Sequence, residues 1–180
     1  MNGQQAQHLE KTAGADEVME IGFKRLSEHA VLPTKANPQD AGLDLYAAAD
    51  VTILPGQTAV IPTDLAIDLP PGYMAQVLPR SGLSSRTQFR VITGTVDAGF
   101  IGNIGIIAEN SSTPYIEFRL VDRGLMGNSA NIASVTYHIR KHDKIAQLVV
   151  QPIPQTVAVE ITELGESARG ANGWGSSGVC

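Results

Sequence analysis

Cysteine is nearly absent from this 180-residue chain, and the single copy, Cys180, is the last residue. No disulfide can therefore form within the chain, and nothing marks an oxidising compartment. Long apolar runs are missing too, none approaching the ~18 residues of a membrane span. The opening "MNGQQAQHLEKTAGADEVME" has neither the basic nor the apolar region of a secretory signal, so a soluble, cytoplasmic protein without a membrane partner is expected. Positive charge is in short supply: 13 Lys and Arg stand against 18 Asp and Glu, a net charge of −5. With no basic stripe to neutralise a phosphate backbone, nucleic-acid binding is disfavoured. A small anionic ligand stays open, because local donors can override a weak overall field.

Aromatics make up only 5% of the residues, whereas 18 glycines and 10 prolines are spread throughout. That balance suits short strands joined by turns rather than long helices. At 43% hydrophobic and 17% charged, the chain can bury the core of one domain. Strand-length apolar stretches recur as "VTIL", "TAVIPT", "LAIDLP", "YMAQVLP", "NIGIIAE", "YIEFRLV", "IASVTYHI", "KIAQLVVQPI" and "VAVEI", punctuated by "LPG", "PPG", "TPY" and "GNS". The pattern predicts an all-β, jelly-roll-like sandwich or barrel. Only "SGLSSRTQ" hints at a helix, of one or two turns. Residues 1–18 read as a polar, disordered tail, 19–164 as the folded domain, and 165–180, rich in Gly and Ser, as an end that stays flexible until something holds it. "NSS" at Asn110 matches a glycosylation sequon by chance if the chain is not secreted.

Several short segments carry chemistry. "PRSGLSSR" (79–86) sets Arg80, Ser81 and Gly82 at the mouth of a short helix, where unpartnered amides favour an anion; the plainer reading is a surface turn with a capping Ser. In "RGANGWGSSG" (169–178), glycines can expose consecutive amides, Arg169 adds a guanidinium fork and Trp174 a stacking face, though such an end is commonly just an unstructured terminus. "AGLDLYA" (41–47) places Asp44 between two leucines in strand alternation, so the acid points away from their side, and "DKIAQLVV" (143–150) does the same for Gln147. Either could simply face solvent. "VITGTVDAGFIGNIGII" (91–107) is apolar and small except for one carboxylate, Asp97. Beside close-approach glycine backbone, that acid could hold a water and act as general base; as "VDAG" it could equally cap a turn.

Taken in order, "AGLDLYA", "PRSGLSSR", "GTVDAGFIGNIGI", "DKIAQLVV" and "RGANGWGSSG" resemble the five ordered motifs of the homotrimeric dUTPase family, over roughly residues 20–179. The form "VDAGF.GN.GI" is most similar to virus and phage members. The resemblance implies a jelly-roll subunit and a homotrimer with active sites shared between subunits. It also implies Mg²⁺-dependent hydrolysis of dUTP to dUMP and pyrophosphate, which keeps uracil out of DNA and supplies dUMP for dTTP synthesis. Carried over by residue, Asp97 would deprotonate the water attacking the α-phosphorus, near the sugar 3′-OH. The backbone of Gly94, Thr95 and Val96 would read the uracil edge, and Phe100 would stack under the deoxyribose, leaving no room for a 2′-OH. Arg80, Ser81, Gly82 and Gln147 would hold phosphates, and Asp44 would act on Mg²⁺ through a bound water or through Arg80. Arg169 would clamp the γ-phosphate, Trp174 would cover the uracil, and Gly175, Ser176 and Ser177 would complete the cradle as the tail closes.

Trp174 and Phe100 stand where Phe and Tyr are usual, Asn172 replaces a frequent Gly, and His142 replaces the Gly that opens the fourth motif. Residues 111–140 are longer than is common in the family, predicting an extended hairpin with "DRGLMGNSAN" at its tip, a surface that could bind a protein partner. Two rivals remain. A dCTP deaminase shares the fold, but its catalytic Glu would fall at Ile107 and its second Ser at Gly82; Glu109, two residues on, would need a shifted register. A purely regulatory binding module would not need to keep Asp97, Arg80 and Arg169, all of which are present. His138 and His142 are four apart in what reads as strand and turn, a poor zinc pair.

Overall fold

A computed structural model of the chain describes residues 18–113, 115–117, 131–133, 135–167 and 170. In chain order the strands are β1 (Gly22–Arg25), β2 (Leu43–Tyr46), β3 (Val51–Ile53), β4 (Thr58–Pro62), β5 (Leu65–Asp68) and β6 (Tyr73–Pro79). Among the described residues a single short helix, α1 (Ser81–Arg86), follows β6. After it come β7 (Phe89–Val91), β8 (Gly94–Asp97), β9 (Gly105–Asn110), β10 (Tyr115–Glu117), β11 (Asn131–Ala133), β12 (Tyr137–Ile139) and β13 (Lys144–Pro152). All-β is therefore the class, as composition predicted. No helix among the described residues is long and apolar enough to cross a membrane.

Two antiparallel sheets dominate, a four-stranded one in the order β2-β13-β6-β8 and a three-stranded one in the order β4-β9-β7. Sequence-distant strands lie side by side, β2 beside β13 and β4 beside β9, which is the crossover pattern of a jelly roll. Alternation explains the packing. In β6 Ala75 and Val77 are buried between half-buried Met74, Gln76 and Leu78, and in β9 Ile106, Ala108 and Asn110 point inward while Ile107 and Glu109 do not. Leu45, Ile53, Ile61, Leu65, Phe89, Ile104 and Leu148 close the core between the sheets, and Phe89 meets the Tyr137 ring edge-on at 5.6 Å.

Thr63, Asn110 and Ser112 are the buried polar residues among the described residues, and Asn110 makes the most bonds. The Asn110 amide donates to Ile53 O (3.0 Å) and Val135 O (2.6 Å), while its oxygen accepts from the amide and hydroxyl of Ser112 (3.1 and 2.6 Å). Fully buried and satisfied, Asn110 has no room for a glycan. It ties together both ends of the stretch expected to form a long hairpin. Within that stretch β10 and β11 pair antiparallel, Tyr115 opposite Ala133; the residues between them, including nearly all of "DRGLMGNSAN", lie outside the described residues.

Two local expectations need correction. "VAVEI" (157–161) is not a strand: Val157 and Val159 are 87% and 75% exposed and pair with nothing among the described residues. Its alternation defines an apolar edge, but no strand among the described residues receives it. The second concerns Ser81, which does not cap α1: the N-cap is Arg80, in extended conformation, with no side-chain cap bond.

Candidate active site

The larger of two relevant clefts opens where β2, β13 and the β6–α1 junction meet, has a volume of about 530 Å³, and is lined among others by Asp44, Arg80, Ser81, Gly82, Arg86 and Gln147. Strand register brings them together: Gln147 on β13 lies opposite Asp44 on β2 and Leu78 on β6. Leu45 enters the core, so Asp44 turns to the other face, as its alternation predicted. There its carboxylate is gripped from two sides, Oδ1 3.1 Å from Arg80 Nε and Oδ2 2.9 Å from Lys144 Nζ. Arg80 also donates from Nη1 to Lys144 O at 2.8 Å. Lys144 lies 5.5 Å from the Tyr46 ring centre, and Tyr46 shares a 2.6 Å hydroxyl bond with Thr34. The hydrogen bond to Asp44 raises the Lys144 pKa above its ordinary 10.5 against a smaller opposing effect of desolvation.

Gln147 is fixed just as firmly. Its Nε2 donates to Pro79 O at 2.9 Å, and its amide lies against the α-carbon of Gly42, where any Cβ would collide with Gln147 Oε1. The cleft thus presents guanidinium groups, an oriented amide and an uncapped helix start, a set suited to phosphate oxygens.

The second cleft, about 210 Å³, lies between β8 and the start of β9 and includes Gly94, Thr95, Val96, Asp97, Phe100 and Asn103 in its lining. Val96 is buried, which turns Thr95 and Asp97 outward. A turn closed by Phe100 N donating to Asp97 O (3.0 Å) carries the chain away. The Phe100 ring folds over Gly102, where a Cβ would meet it at 2.8 Å. Small, mostly apolar and bordered by strand backbone, this cleft suits a flat ring with polar edges.

Strand β6 separates the two. Asp97 pairs with Met74 near its beginning, whereas Arg80 follows its end at Pro79. Six residues of extended chain span roughly 20 Å. One chain therefore cannot bring its own Asp97 and Arg80 to the same phosphorus.

The structure unites the sequence candidates Asp44, Arg80, Ser81, Gly82 and Gln147 in one cleft and Gly94, Thr95, Val96, Asp97 and Phe100 in the other. Arg169, Trp174, Gly175, Ser176 and Ser177 lie outside the described residues. Sequence reasoning missed Lys144, Arg86 and Asn103. For Lys144 alternation pointed the wrong way, since three residues before Gln147 it would face the opposite side; the register shift between Lys144 and Ala146 turns it toward Asp44. Asn103 gave no signal, because its partner Asp64 is 39 positions away.

Known proteins resemble this chain in sequence and in fold. A family model described as dUTPase matches residues 28–123. The deoxyuridine 5′-triphosphate nucleotidohydrolase of Thermobifida fusca is 38% identical over 160 residues, 88% of this chain and 78% of that protein. The dUTPase of Staphylococcus bacteriophage 80alpha, solved with dUpNHpp, superposes with a TM-score of 0.75 at 35% identity, covering 90% of this chain and all of that one. A variant dUTPase from phage phi11 of S. aureus, solved to reveal the coordination of a structural Mg(II) ion, gives a TM-score of 0.67 at 34% identity over 81% of this chain and 98% of its own.

Proposed function

The chain belongs to the dUTPase family, and on that footing we propose that it hydrolyses dUTP to dUMP and pyrophosphate in sites that each join the Asp97 cleft of one subunit to the Arg80 cleft of another. The observation that carries this reading is the placement of the two clefts at opposite ends of β6. Each holds half of what the reaction needs. The apolar edge of Val157, Val159, Ile161 and Leu164, exposed in the single chain, supports assembly as a homotrimer, since such a row is stabilised by burial against another copy.

In the assembled site the base enters the smaller cleft, where the Gly94–Val96 backbone faces the uracil edge and Phe100 the deoxyribose. Asp97, outward and solvent-reaching, accepts a proton from water as its oxygen bonds to the α-phosphorus and the bond to the β-phosphate bridging oxygen breaks. Arg80, the open amides at Ser81 and Gly82, and Gln147 hold the phosphates and stabilise the charge on departing pyrophosphate. Arg169, Trp174, Gly175, Ser176 and Ser177, in the 165–180 segment, close over the nucleotide and exclude water.

Asp44 already faces two cations, and no cluster of three or more metal-binding side chains occurs among the described residues. That donor set fits Mg²⁺ carried on the triphosphate and touched by Asp44 through water, not a protein cage. When bound, Mg²⁺ neutralises phosphate charge. Ile107 lines the smaller cleft and Glu109 does not, which leaves a deaminase without its proton shuttle. Supplying purified protein and Mg²⁺ with dUTP, dCTP and UTP tests the reading: pyrophosphate is expected from dUTP far in excess of the other two. Ammonia from dCTP, or no turnover of any nucleotide, would overturn it.

A further inference from the structure

Asp64 adopts φ +52, a left-handed conformation that an L side chain enters only where its surroundings impose it. Its backbone carbonyl accepts from Leu26 N at 2.8 Å. One carboxylate oxygen accepts from Ser27 Oγ (2.6 Å) and the other from Asn103 Nδ2 (2.8 Å). The residues on either side grip the next position of the same loop: Thr63 Oγ1 donates to Ile104 O at 2.7 Å, and Ile104 N donates to Leu65 O at 2.8 Å. Asn103 lines the smaller cleft. Its neighbour Gly102 is the surface on which the Phe100 ring lies.

Glycine would satisfy the backbone at position 64 without strain. What a carboxylate adds is a pair of hydrogen bonds, one of which ends in the wall of the cleft. We propose that Asp64 is a positioning residue of the smaller cleft. By holding the Asn103 amide it fixes the loop 98–104, and through Gly102 the Phe100 ring, and so sets how strictly a deoxyribose is separated from a ribose. The inference rests on the sugar-facing role of Phe100 proposed above.

Steady-state kinetics of the full chain with dUTP and UTP, alongside thermal melts, test it. Asp64→Gly accepts the backbone angle and deletes both bonds. The KM for dUTP is expected to rise about five-fold, the scale of one net hydrogen bond, with a smaller change in kcat, and the dUTP/UTP ratio of kcat/KM is expected to fall by a similar factor. Asp64→Asn, which tolerates the same φ and keeps an acceptor toward Asn103, restores most of that ratio. Adding Asp64→Gly to Asn103→Ala produces no further loss, because both break one link. Ser27→Ala, which frees only the other oxygen, lowers the melting temperature without moving the ratio. Wild-type discrimination in Asp64→Gly, alongside its loss in Phe100→Ala, overturns the clamp while leaving the reading of the cleft intact. Retained discrimination in Phe100→Ala overturns that reading and the clamp with it. Additive losses in the double variant, or a Ser27→Ala profile matching Asp64→Gly in both kinetics and melting, also overturn the clamp.

Discussion

Two inactive variants should repair each other. Asp97→Asn removes the general base, expected to lower turnover about 10²- to 10⁴-fold, and Arg80→Ala removes a guanidinium from the phosphate cleft, with a loss of similar order. Because β6 holds these positions roughly 20 Å apart in one chain, the proposed site draws Asp97 and Arg80 from different chains. When equal amounts of the two variants are unfolded together and refolded, chains assort at random within the proposed trimer. A given site then receives an intact Asp97 with probability one half and an intact Arg80 with probability one half. About one quarter of the sites are whole, so the mixture is expected to recover about a quarter of wild-type pyrophosphate release from preparations that are separately almost inert. If site halves came from a single chain, mixing would recover nothing. The assay needs differently tagged variants, so that native mass spectrometry verifies mixed assemblies. Mixed assemblies as inactive as the parents would refute the shared site.

Gly42→Ala is expected to drive a Cβ into the Gln147 amide, break its bond to Pro79 O and raise the KM for dUTP about five-fold, while overpacking costs about 1–3 kcal/mol in a melt; unchanged KM would show that Gln147 is not needed where it sits. His142, at φ +73, occupies a backbone conformation that favours glycine, so His142→Gly is expected to raise the melting temperature by about 2–4 °C for each kcal/mol of strain relieved, a gain absent if the turn is unstrained. For Lys144 the folded pKa lies above 10.5: its stabilising contribution is full below that value and lost as pH rises through the raised pKa. Thermal stability of the wild type should therefore fall more steeply above pH 10.5 than that of Lys144→Met, and coincident curves would contradict the Asp44 pairing.

Strand alternation made much of the site legible. It turned Asp44 away from Leu45 and set Gln147 polar in an apolar strand, while "SGLSSRTQ" marked a short helix just after Pro79 and Arg80; the structure contains all three, and pairs Gln147 with Asp44. What alternation cannot supply is a partner. "VAVEI" alternates as well as any true strand, yet Val157 and Val159 remain exposed because nothing among the described residues pairs with them. The strands β7 and β8 were not singled out, since Gly94 and Thr95 dilute the apolar signal and β8 owes its place to pairing with β6. The bonds that fix the side chains are also long in sequence: Lys144 reaches Asp44 across 100 positions and Asn103 reaches Asp64 across 39. Only the fold brings such pairs together.

The buried amide of Asn110 has a wider consequence. By bonding Ile53, Ser112 and Val135 at once, it acts as a rivet at the point where the chain leaves the barrel and returns, so the barrel keeps the same fastening whatever runs between Ser112 and Val135. Length and sequence can then vary between those two anchors without breaking the bonds that hold them, an arrangement that lets the excursion change while the barrel under it stays the same.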